Sequence, residues 1–221
     1  MHKLTNKQKI WLYEQAALCG ISNILADKVI SAYSTPNRHY HDISHLIDVL
    51  QEAAKSIEMI SNSEMASLRL ALWFHDTIQE RPAFSFLSNE ELSAAWLSRE
   101  GFGHVQPEIL NLAVRLIELT GKHTKTIESY TNVEAIMISC DLSILGKDTD
   151  SYKKYSCGVK QEYSYIPDDI FVQERIKVLS SLLSKANNCT LFPASMWHQL
   201  YNAKAIKNMT TEIDYLRQRV Y

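Results

Sequence analysis

A chain of 221 residues and 25.3 kDa that is 46% hydrophobic has the length and apolar content for one folded domain or two small ones. That composition excludes a collagenous, low-complexity or disulfide-scaffold protein. The 23 basic and 25 acidic residues leave a formal charge of −2, so no broad field of one sign exists to hold nucleic acid or an acidic membrane surface.

Helical spacing dominates from the start of the chain. Met1 to Lys7 reads without the apolar core of a signal peptide. Ile10, Leu12, Tyr13, Ala16 and Ala17 then make one apolar stripe. Ser34-Thr35-Pro36-Asn37 breaks the pattern, and Ile43, Leu46, Ile47, Leu50 and Ala54 resume it. The run from Ala66 to Phe74 is apolar on most sides, which suits a central buried helix, and Arg81-Pro82 follows it. Ser88-Asn89-Glu90-Glu91 opens a fifth helix as a capping box, closed by Gly101-Phe102-Gly103. Further stripes run from Ile109 to Ile117, ending at Gly121, and from Val133 to Cys140, ending at Gly146. Pro167-Asp168-Asp169 opens another, from Ile170 to Leu183, and helical spacing returns from Trp197 to Tyr221, suited to packing on the core or on a second chain. The expectation is a single all-α domain of roughly nine or ten helices. It would consist of N-terminal helices (1–32), a core (33–145) and C-terminal helices that complete a pocket (146–221). No stretch is long and apolar enough to span a membrane. Cys19, Cys140, Cys157 and Cys189 form no C-x-x-C pair, so reduced thiols and a cytoplasmic location are expected.

Polar residues in apolar surroundings carry the chemistry. The most apolar helix ends in His75-Asp76, and Asp141 sits inside the apolar run Ala135–Leu145. Burying an acid beside an imidazole is costly without a partner, and a divalent cation is one such partner. Three more histidines lie in Arg38-His39-Tyr40-His41-Asp42-Ile43-Ser44-His45. His41 and His45 are one helical turn apart on one face, so either could complete a set with His75, Asp76 and Asp141. Imidazoles and carboxylates without a thiolate suit Mn, Zn, Fe, Co or Mg. His123 is a further candidate ligand, but His104 and His123 cannot be paired into a second site, so one ion per chain is expected. His2, His104 and His198 read as surface or packing residues, and His39 as locally bonded. Tyr152, Tyr155, Tyr163 and Tyr165 read as a packed amphipathic face whose hydroxyls find partners.

The ordered set resembles the HD-domain metal-dependent phosphohydrolases, most nearly the bacterial group described as predicted metal-dependent HD superfamily phosphohydrolases. That group is expected to show R-H-Y-H-x-x-x-H-I, W-F-H-D, N-E-x-x-S-A, D-x-D-L-x-I-L-G, Y-x-x-Y and E-Y. The matching residues are Arg38-His39-Tyr40-His41 with His45, Trp73-Phe74-His75-Asp76, Asn89-Glu90 with Ser93-Ala94, Asp141-Leu142 with Ile144-Leu145-Gly146, Tyr152 with Tyr155, and Glu162-Tyr163. Ser139 stands where the first Asp of D-x-D is usual, and Lys160 where an Arg usually precedes E-Y.

The resemblance implies an HD-type helical bundle with a metal site in its core. It also implies hydrolysis of a phosphoester of a small phosphorylated molecule, a nucleotide among the candidates, by hydroxide formed at the ion. The first segment is also similar to Y-H-N-x-x-H of cyclic-nucleotide phosphodiesterases, which implies His45 as a metal ligand and His41 as the acid for the leaving oxygen. His75-Asp76-Thr77-Ile78-Gln79-Glu80 is similar to H-D-T-V-E-D of alarmone hydrolases, with Glu80 in a catalytic position. The implied set is therefore His45, His75, Asp76 and Asp141 for the metal, with His41, Asp76, Glu80 and Glu90 catalytic. Arg38, Lys160 and Arg175 are candidates to clamp phosphoryl oxygens, or else to form ordinary ion pairs. An HD-fold oxygenase with two irons and a nucleotide-binding sensor are the rival functions.

Overall fold

Turn chemistry places the helix starts. The computed structural model describes residues 4–79, 85–125 and 127–218. His2, Glu80 and the Arg81-Pro82 break lie outside them. In chain order the helices are α1 (Asn6–Ala17), α2 (Asn23–Ala32), α3 (Ile43–Ala54), α4 (Asn62–Phe74) and α5 (Asn89–Gly101). Then come α6 (Pro107–Thr120), α7 (Asn132–Asp141), α8 (Thr149–Glu162), α9 (Asp168–Asn187) and α10 (Ser195–Arg217). Thr5, Ser22, Asp42, Ser61, Ser88, Thr131 and Asp148 each stand one residue before a helix, and each side chain accepts a backbone N–H of the first turn. Pro107 at the first position of α6 needs no donor there. The architecture is all-α, and no strand occurs among the described residues. No helix among them is long and apolar enough to cross a membrane.

One boundary differs from the sequence expectation. Gly146 does not close α7, which ends at Asp141; it closes a short 3-10 turn, Leu142–Gly146. The tighter turn drives Leu142 and Leu145 into the core. Asp141 stands before this turn, yet its side chain makes no capping bond there. Its carboxylate is left for other partners.

α4 is the central element. Leu68, Ala71, Leu72, Trp73 and Phe74 are fully buried, and the helix packs against α1, α3, α5, α6 and α7. A helix apolar on most sides belongs at such a position. Truncating Trp73 or Phe74 to Ala would cost about 3–5 kcal/mol. The buried apolar residues form one contiguous cluster from Leu12 to Leu216.

A polar knot crosses this core. Glu52 of α3 is 2% exposed. Its carboxylate accepts from Lys55 Nζ (2.8 Å), Tyr201 OH (2.8 Å), Trp197 Nε1 (3.1 Å) and the Lys147 ammonium. Burial alone would raise its pKa, but Lys147, Lys55 and Tyr201 hold it below the usual carboxylate range. The knot ties α3, the segment after the 3-10 turn, and α10 together.

Candidate metal centre

His45, His75, Asp76 and Asp141 meet in the core. His45 lies in the first turn of α3, His75 caps the C-terminus of α4, Asp76 follows it, and Asp141 ends α7. One ligand atom from each lies within 4.8 Å of all the others. The two Nε2 atoms are 3.1 Å apart. His45 Nε2 is 3.3 Å from Asp76 Oδ2 and 3.4 Å from Asp141 Oδ1, and His75 Nε2 is 3.2 and 3.5 Å from the same atoms. Such spacings suit donors that each lie about 2.0–2.2 Å from one centre. The C-termini of α4 and α7 both end here, and helix C-termini favour cations.

The electrostatics agree. Burial disfavours charge on all four groups, yet their mutual attraction prevails. The carboxylates raise His45 to about 9 and hold His75 well above the usual imidazole range. Asp76 is held well below the usual carboxylate range by His75 and His41, and Asp141 by His123, His45 and His75. Carboxylates that hold protons on two imidazoles this firmly can hold a cation in their place.

Each donor is oriented by further residues. His75 Nδ1 donates to the Leu72 carbonyl (2.9 Å), which turns Nε2 toward the cluster. The Tyr33 hydroxyl accepts from the Asp76 backbone N–H at 3.2 Å. Gln79 Nε2 donates to Asp76 Oδ1 (2.8 Å), and Asn89 Nδ2 to the Gln79 carbonyl (2.7 Å). His123 Nε2 donates to Asp141 Oδ2 (2.7 Å), while its Nδ1 is buried with no hydrogen-bond partner among the described residues.

His41 is held differently. Its Nδ1 donates to Glu162 Oε2 (2.7 Å), and Glu162 Oε1 accepts the backbone N–H groups of His39, Tyr40 and His41, each at 2.8 Å. Burial alone would raise Glu162, but His41 and these N–H groups lower it from 4.5 to about 2. Close approach of α8 makes this reach available. A Cβ on Gly158 would lie 2.7 Å from the His39 carbonyl oxygen. With Nδ1 so engaged, Nε2 is the other ring nitrogen of His41.

A cavity of about 490 Å³ opens over the cluster. His41, Asp76, Glu90, His123, Asp141 and Arg175 border it. Of the three cations considered as phosphate clamps, only Arg175 does so. Its Nε and Nη2 donate to Glu212 at 2.9 and 3.3 Å, and its Nη1 to the Tyr155 hydroxyl at 3.0 Å. Arg38 donates to the carbonyls of His41 (2.7 Å), Asp76 (2.6 Å) and Thr77 (2.8 Å) and lies over the Tyr33 ring. Lys160 pairs with Asp168 over the Phe171 ring. Glu80 lies outside the described residues. Tyr152 finds Glu212 and Tyr155 finds Arg175, but Tyr163 and Tyr165 are exposed.

Sequence reasoning gave no role to Glu162, Tyr33 or Gln79. Glu162 carried one signal, its place in the E-Y pair. Gln79 stands in the alarmone-hydrolase-like segment, where that pattern has Glu. No protein-family model matches the chain, and no curated protein matches it.

Proposed function

We propose that this protein is a metal-dependent phosphohydrolase of the HD type that cleaves a phosphoester of a small molecule. One observation carries the reading: four donors converge, and two of them, Asp76 and Asp141, border the same cavity as a separately oriented imidazole, His41. The donors fit a single divalent ion, and His45, His75, Asp76 and Asp141 would hold it. When bound, such an ion supplies Lewis acidity toward a phosphoryl oxygen and makes water a better nucleophile near neutral pH. Glu162 fixes the His41 ring through Nδ1, which leaves Nε2 to give a proton to the leaving oxygen. Arg38 joins the segments bearing His41 and Asp76 through their carbonyls, a positioning role. Arg175 holds Tyr155 at the cavity wall. Glu90, which borders the same cavity, would orient water.

A panel of mononucleotides, cyclic nucleotides, sugar phosphates and alkyl phosphates, with Mn²⁺, Co²⁺, Mg²⁺ or Zn²⁺, tests the reading. Metal-dependent release of phosphate or alcohol that disappears in Asp76→Ala supports it. Turnover that survives in Asp76→Ala, or binding of two irons per chain, overturns it. The two-iron oxygenase needs more ligands than the four gathered here, and His123, the extra imidazole at the cavity, is bonded to Asp141.

A further inference from the structure

The cavity walls differ sharply from its floor. Acids and imidazoles gather at the metal end. Leu142, Ile144, Leu145, Val159, Phe171 and Val178 also line the space. The residues come from the 3-10 turn, α8 and α9, so that side of the pocket is largely apolar, interrupted by Tyr155, Glu174 and Arg175.

The charges are equally one-sided. Asp76, Glu90, Asp141 and Glu174 border the cavity, and among the described residues Arg175 is the one lysine or arginine there. Glu212 already neutralises Arg175 through two N–H donors, with both side chains under 10% exposed. Glu174 lies at the exposed rim beside Lys177. A single ion and His41 can balance one phosphate. Glu90 and the apolar residues offer no positive charge to a second or third phosphate.

We propose that the pocket selects esters bearing a single phosphate on a largely apolar organic group and rejects polyphosphates. The proposal rests on the hydrolase reading for the location of the phosphate, and a volume of about 490 Å³ is ample for a small ligand of this kind.

The test uses the full chain with Mn²⁺ and two matched series. One is methyl, butyl and hexyl phosphate with a nucleoside triphosphate, read as kcat/KM. The other is methyl-, butyl- and hexylphosphonate, which cannot be hydrolysed, read as Kd by calorimetry. Affinity should rise about two- to fourfold for each methylene that is buried. Hexylphosphonate should therefore bind at least about tenfold more tightly than methylphosphonate, and the triphosphate should be the poorest substrate. Val178 is 41% exposed on the cavity rim, so Val178→Asp can be made without disturbing the core. It should reduce the hexyl-to-methyl affinity ratio at least threefold. Hydrolysis indifferent to chain length, or best with the triphosphate, overturns this proposal and leaves the hydrolase reading standing. Chain-length-dependent phosphonate binding with no hydrolysis of any ester overturns the hydrolase reading and keeps only the preference for a single phosphoryl group on an apolar chain. Phosphonate affinity that is flat across the series, with no hydrolysis, overturns both.

Discussion

Three carbonyl oxygens, those of His41, Asp76 and Thr77, share the guanidinium of Arg38. An ammonium lacks the planar fork needed to serve all three. Arg38→Met should therefore cost roughly 2–4 kcal/mol in urea unfolding, since it strands buried acceptors. Glu162 allows a sharper test. Its pKa falls from 4.5 to about 2 on folding, so the stabilisation is complete above pH 4.5 and is lost as the pH falls toward 2. Glu162→Gln should lower stability by roughly 1–3 kcal/mol at neutral pH, and the gap to the wild type should close below pH 4.5. His41→Gln should reduce kcat about 10²- to 10⁴-fold for alkyl phosphates, whose alkoxide needs a proton. For p-nitrophenyl phosphate, whose leaving group needs none, the loss should be far smaller. His75, Asp76 and Asp141 were legible in the sequence because each interrupts an apolar run. Sequence alone left His41 and His45 interchangeable; in the structure His45 lies in the cluster while His41 turns to Glu162. Glu162 acts on residues 121 to 123 positions away, and no local periodicity encodes that.

At the scale of elements, the starts were easier to read than the stops. The Ser88 capping box and the Pro167 break sit where turn chemistry places them. The end of α7 does not, because tightening into a 3-10 turn leaves the apolar spacing almost unchanged and so leaves no mark in the sequence. Helix contacts are less visible still. At Gly158, α8 lies so close to residues 39 and 40 that a methyl group would press on the His39 carbonyl oxygen at 2.7 Å and Tyr40 Cβ at 3.0 Å. Gly158→Ala should cost about 1–3 kcal/mol by overpacking. It should also displace the Glu162 carboxylate from His41, lowering kcat while leaving the metal affinity of the α3, α4 and α7 donors largely intact. Denaturation, calorimetric metal titration and turnover on one sample would separate these effects.

At the scale of the whole molecule, the donors come from α3, the end of α4 and the end of α7, so an ion would bind only the folded chain. Mn²⁺ or Zn²⁺ at about 100 times its Kd should add about 2.7 kcal/mol of stability. For a chain of this size that raises Tm by roughly 5–10 °C. Asp141→Ala should abolish the shift, and a chelator should reverse it in the wild type. The Glu52 knot bears on what that chelator leaves behind. Glu52 sits two turns beyond His45 on α3, and Lys147 lies just past the 3-10 turn that follows Asp141. The same two stretches of chain are therefore fastened at two separate points, and only one of them involves the donors. The second fastening works like a brace across a frame: it involves none of the donors, so removing an ion would leave its bonds in place. On the proposed reading, ions could be exchanged without refolding the chain. A socket already fixed in shape, built from imidazoles and carboxylates that many divalent ions accept, leaves the choice of metal largely to whichever ion the surroundings supply.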